Sequence, residues 1–256
     1  MNMRVYAIAV NTFKEVIRDK IFYSLVFFAL LIVGASVVLS ALTVGERTKI
    51  IMDLSLAGIN IFGVIIAIFV GIGLVNKELE KKTIYTIISK PINRYEFLLG
   101  KYLGLALTLL VYVSVMSACF LLVLYLYSGV WAGKLLLSVL LTYMELLVVT
   151  ATAMLFSTFS TPTLSATYTL AVYVIGHLTG DLKGLAAKTG SRGAKAALQF
   201  LYNFLPNLEN FNIKNKIVHD IPIPPGYVVL SLTYGVLYVL GLLALSVLVF
   251  QKRNFK

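Results

Sequence analysis

Cysteine is nearly absent. Cys119 stands alone within an apolar run, so a disulfide within one chain and a cysteine-based metal site are both excluded. Histidine is almost as scarce. His177 closes one apolar segment and His219 lies far along a polar stretch, so the two make no metal site and His177 reads as an interfacial packing residue. Charge is thin as well, at 13% of residues against about 25% in a water-soluble domain. Three motifs are missing: a G-x-x-x-x-G-K-[ST] phosphate loop, an H-E-x-x-H pair and a G-x-S-x-G elbow. The sequence therefore has no ATP site of that kind and no recognisable hydrolase centre. Neither a long-period repeat nor a low-complexity tract is present, which favours one domain over residues 1–256.

What the chain has in abundance is apolar sequence: 59% hydrophobic residues and a mean hydropathy of +0.91. That composition belongs to an integral membrane protein. Six apolar segments approach the roughly 20 residues needed to cross a bilayer: Ile21 to Leu42, Leu54 to Val75, Phe97 to Tyr127, Leu135 to Thr158, Thr163 to Thr179 and Tyr227 to Phe250. The expected fold is all-α, a polytopic membrane protein of six helices. Residues 1–20 do not look like a signal peptide, because Val5, Ile8, Ala9, Phe13, Val16 and Ile17 recur at helical spacing among charged residues. They predict a helix lying in the membrane interface.

The net charge of +11 is spread over loops and ends rather than gathered in a stripe with stacking aromatics. It points to membrane lipid and topology, not to nucleic acid. Lysine and arginine concentrate at residues 4–20, 77–101 and 252–256, which puts both termini in the cytoplasm of a cell membrane, plasma or bacterial inner. This topology places residues 181–226 outside in spite of their own basic residues. Within that loop Ala196 to Leu205 predicts a helix ending at Pro206. It serves either to close the outer mouth of the bundle or to dock an external accessory protein.

The most highly charged interruption is Asn76 to Lys101. Lys77 to Ile88 reads as a short amphipathic helix, with Glu78 four residues before Lys82. Pro91 ends it, and Asn93 with Glu96 makes a capping-box-like start for the next span. The order Glu78-x-Glu80, Thr83, Pro91, Arg94 and Gly100-Lys101 resembles the cytoplasmic loop of type-2 ATP-binding-cassette (ABC) exporter permeases, with Lys82 where that family often has glycine. The stretches ELEKKTIYTIISKPI and LPNLENFNIKNKIV look most like permeases related to the copper-site maturation system of nitrous oxide reductase. The resemblance implies a coupling helix within residues 77–96 that docks on a separate ATPase subunit. It further implies Glu78, Glu80, Thr83, Pro91 and Arg94 as coupling residues, and a second permease in a homodimer or heterodimer. ATP and magnesium would belong to the partner subunit, leaving no cofactor in this chain.

Glu145 is the anomaly, a carboxylate about ten residues into the fourth segment. An acid near the bilayer midplane costs about 2.5 to 3.5 kcal/mol on insertion scales, so it must face the bundle and find a partner, either Thr142 or a group on another span. It reads equally as a pathway contact and as a packing residue. Gly100-x-x-x-Gly104 permits close helix contact, within the chain or at a dimer seam. Two rival functions stay open on the residues: a transporter driven by an ion gradient with Glu145 as its site, and a non-transporting membrane assembly factor that uses residues 181–226.

Overall fold

A computed structural model of the chain describes residues 3–42, 46–80, 93–129, 133–180, 184, 189 and 192–252; of residues 74–80, 192, 197, 200 and 201 the backbone alone is described. Every element among the described residues is helical. Helix α1 spans Met3–Ile17 and α2 spans Lys20–Ala41, started by Asp19, whose carboxylate accepts the Ile21 N–H at 2.9 Å. Helix α3, Arg47–Glu80, is 34 residues long and continuous. The sequence reading separates a membrane span ending at Val75 from a short helix beginning at Lys77, but the backbone makes them one. The reason is local: no glycine or proline falls between Gly73 and Glu80, and Lys77-Glu78-Leu79-Glu80 are good helix formers. Residues 81–92, which include Thr83 and Pro91, lie outside the described residues.

Helix α4, Arg94–Ser128, starts as the sequence predicts. Asn93 is extended and its N–H donates to the Glu96 carboxylate at 2.9 Å, while Gly129 ends the helix at a φ of 64°. Helix α5 covers Leu135–Ser157. After a four-residue turn Pro162 opens α6, Pro162–His177, beside an extended Thr161. Helix α6 has only 16 residues, about 24 Å, against a hydrocarbon core of about 30 Å. Among the described residues five helices, α2, α3, α4, α5 and the last, are long and apolar enough to span a membrane, where the sequence predicts six.

Beyond α6 come α7, Arg192–Phe204, then a 3₁₀ turn at Leu208–Phe211, α8 at Lys214–Val218, and α9 at Tyr227–Lys252. The stretch from Leu208 to Val218 is built into the bundle: Leu208, Phe211 and Ile213 are buried, and the turn and α8 pack on α3, α5 and α6. Gly176 makes this approach close, because a Cβ there would sit 2.9 Å from the Pro206 carbonyl.

Helix α5 is the centre. It touches α3, α4, α6, α8, α9 and the turn, and most of its residues are buried. Tyrosines stitch the bundle together: buried Tyr112 of α4 donates to the Ile59 carbonyl of α3 at 3.1 Å, and part-buried Tyr143 of α5 donates to the Ala106 carbonyl of α4 at 3.1 Å. Around this core α2, α4 and α9 turn Phe27, Phe28, Leu110, Leu122, Leu237 and Leu240 outward, an apolar exterior suited to lipid. Helix α1 lies on α4, burying Val5, Ala9, Thr12 and Val16. Its seat is Gly100-x-x-x-Gly104, where an added Cβ would come within 2.6 Å of Ile8 and Thr12 side chains. That motif is filled from within the chain, not by a second copy.

Candidate functional site

Glu145 lies eleven residues into α5, 1% exposed, on the face of the central helix that meets α3 and α6. Neither of its oxygens pairs with Thr142. Asn60 of α3 donates its Nδ2 to Oε2 at 2.9 Å, and Nε2 of His177, the last residue of α6, lies 2.9 Å from Oε1. The amide orientation of Asn60 follows from its other contact, since Tyr173 donates its hydroxyl to Oδ1 at 2.7 Å. Tyr173 and His177 share a face of α6 one turn apart, their rings edge to face with centroids 4.8 Å apart. On the far side of the imidazole, Nδ1 is 3.4 Å from Oε2 of Glu209 in the 3₁₀ turn. The Glu209 carboxylate also accepts from Asn212 Nδ2 at 3.2 and 3.3 Å.

The chain of groups Tyr173, Asn60, Glu145, His177, Glu209 and Asn212 therefore joins α3, α5, α6 and the turn. It runs outward from a fully buried acid, through a histidine side chain 23% exposed, to a carboxylate 48% exposed. The sequence reading of His177 as packing alone is thus corrected: it pairs with the buried acid. The signal lay in topology, because a tight turn between antiparallel α5 and α6 brings the end of α6 towards the first half of α5. Asn60 and Glu209 gave no such signal, being ordinary polar residues until partners are known. Beyond Asn60 along α3 an apolar groove of about 510 Å³ opens against α6, lined by Val64, Ile68, Phe69, Ile72, Ala166 and Leu170. Among the described residues its only polar side chains are the hydroxyls of Thr163 and Thr167.

At the other end of α9 sits Arg94. Its Nη1 donates to the carbonyls of Phe250 and Gln251, both at 2.9 Å, and the guanidinium stacks over the Phe250 ring at 6.0 Å. These are the unpaired carbonyls of a helix C-terminus, where a cation is favoured. The resemblance implied a coupling contact for Arg94, yet its fork is engaged inside the chain. Close by, Lys101 is buried on α4 beside Phe97 and reaches Glu15 of α1 at 3.6 Å, while Arg4 of α1 approaches Glu96 at 3.9 Å. The backbones of Glu78 and Glu80 are in the last turn of α3, and Thr83 and Pro91 belong to residues outside the description.

A search of curated proteins finds no match. The family profile described as ABC-2 family transporter protein matches residues 6–255, nearly the whole chain. Among the described residues, the all-helical fold with five membrane-length helices agrees with it. This chain belongs to the ABC-2 transporter family, as a multi-pass membrane component of an ABC transporter.

Proposed function

We propose that this chain is the membrane-spanning permease of an exporter, working as a dimer of permeases on two ATPase subunits that bind ATP and magnesium. Family membership implies the ATPase partner. The observation that carries the coupling reading is the unbroken α3. At 34 residues, about 51 Å, it outruns a hydrocarbon core of about 30 Å and carries Glu78 and Glu80 on the same helix that holds Asn60. Helix α4, equally long, returns from the same loop, and its Tyr112 is bonded to α3 at Ile59, next to Asn60. Force applied by an ATPase between Glu80 and Arg94 thus reaches the buried network by two helices that meet there.

In this reading α6 is the sixth span, completed by the residues that follow His177. Both termini are cytoplasmic, α1 rides on α4 at the headgroup level, and residues 181–226 face outside. The nitrous oxide reductase-related subtype is kept as the proposed branch of the family. The experiment is to extract the tagged chain from its native membrane in mild detergent, identify co-purifying proteins, and compare E78A/E80A with the unaltered chain. A bound ATPase whose association or hydrolysis falls in the variant supports the reading. An intact chain with no ATPase, under conditions that preserve other membrane complexes, overturns it.

A further inference from the structure

The hydrogen-bond inventory around His177 is one proton short. Asn60 can only donate at Nδ2, since its Oδ1 is taken by Tyr173. A neutral imidazole has one N–H and one lone pair, but here both ring nitrogens face carboxylate oxygens, Nε2 at 2.9 Å and Nδ1 at 3.4 Å. With both glutamates ionised, a neutral His177 points a lone pair at an anion whichever tautomer it adopts. One added proton resolves this in either of two ways. The imidazole becomes doubly protonated and donates to both acids, or Glu145 takes a proton at Oε1, donates it to Nε2, and His177 donates Nδ1–H to Glu209.

We propose that Glu145 and His177 form a proton-binding pair, loaded from the end of the bundle that carries the 3₁₀ turn, with Glu209 as its exposed acceptor. The burial gradient sets the route: Glu145 is sealed, while Glu209 is half exposed and touches Nδ1 directly. Loading balances simply. A proton from water reaches Nδ1, the Nε2 proton passes to Oε1 of Glu145, and the ring is left neutral with its hydrogen on the other nitrogen. The reverse sequence unloads it. The titratable groups set against the imidazole are Glu145 from α5, Glu209 from the turn and Tyr173 from its own helix. Asn60 of α3 and Asn212 bound the pair as neutral donors. Because the network joins α3, α5, α6 and the turn, the pair's proton occupancy bears on contacts made by all four elements.

This inference does not rest on ATP-driven transport, and its test reads protons rather than partners. The full chain carrying H219Q, so that His177 is the one histidine, is placed in lipid bilayers with ¹⁵N-histidine and ¹³C-glutamate labels. Solid-state NMR is recorded at about pH 6, near histidine's ordinary range. The expected result is two protons on the pair, either imidazolium beside ionised Glu145 or neutral imidazole beside the acid, with the extra proton lost in E145Q. A neutral imidazole beside an ionised Glu145, or a His177 spectrum unchanged by E145Q, would overturn the pair. E209Q tests the route: slower proton exchange between water and His177 supports it, and unaltered exchange removes Glu209 from it. E145Q and E209Q preserve side-chain shape, and each is first matched to the parent for helix content.

Discussion

At one end of α9, Arg94 holds the bundle by gripping main-chain carbonyls of Phe250 and Gln251, with ion pairs from α1 alongside; about five turns along α4, where Tyr112 meets α3, lies a cluster of another kind. There Asn60, Glu145, His177 and Glu209 meet side chain to side chain, inside the protein. The first arrangement satisfies groups that any helix end exposes, and water can replace much of it. The second introduces a charge that the fold did not need, and only its named partners can satisfy it. A feature that stabilises a helix end belongs to architecture, whereas a buried acid that obliges four elements to converge belongs to function or to nothing.

The contrast is broken most severely by removing a partner of Glu145 while leaving the acid. H177L and N60L are each expected to lower unfolding free energy by about 3 kcal/mol, because a buried charge is left short of donors. SDS or guanidinium unfolding in detergent measures it. Removing the acid itself should cost less: E145L leaves neutral groups that re-pair, at about 1 to 2 kcal/mol. If E145L proves worse than H177L, the acid serves as packing and the contrast fails.

Next comes the α1 seat. G104L forces a side chain into contact with the Ala9 carbonyl, which is backbone and cannot yield, and should expel α1 at about 1 to 3 kcal/mol. Protease cleavage within residues 3–17 would report the release. R94Q, which gives up charge-assisted bonds at a partly exposed helix end, should lose about 1 kcal/mol, and R94K should recover charge but not the two-carbonyl geometry. The smallest effect is at Glu46, whose carboxyl is held below its usual range chiefly by the Lys49 hydrogen bond at 2.7 Å. Any contribution is present at neutral pH and fades as pH falls through that lowered value. The group is fully exposed, so E46Q should leave the thermal midpoint unmoved.

Much of the architecture was written in short-range signals. Pro162 after Thr161 and Asn93 with Glu96 mark helix starts because each acts on backbone atoms a few residues away. The α3 boundary departs from the sequence expectation for the complementary reason. Polarity at Asn76 marks where lipid ends, not where a helix ends, and nothing at that position opposes helical geometry. Hydropathy continues to Thr179 and gives α6 the length of a span in the sequence, while the helix closes at His177, where the side chain turns to Glu145. Of the site, Glu145 was legible alone, since a lone acid in an apolar run is visible in one dimension. Its partners lie 85 and 32 residues away and become a site only through the packing of α3 and α6 on α5.

The continuity of α3 has a mechanical consequence. From Glu80 to Asn60 is 20 residues of uninterrupted helix, a lever arm of about 30 Å. Pivoted near Glu80, a tilt of about 5° would sweep its far end through about 2.6 Å, enough to part the Asn60–Glu145 hydrogen bond of 2.9 Å. A flexible joint at Asn76 would absorb such a tilt before it arrived. With no joint there, the gearing is fixed by helix stiffness, and an angular step too small to rearrange the bundle suffices to open or close one contact at its heart.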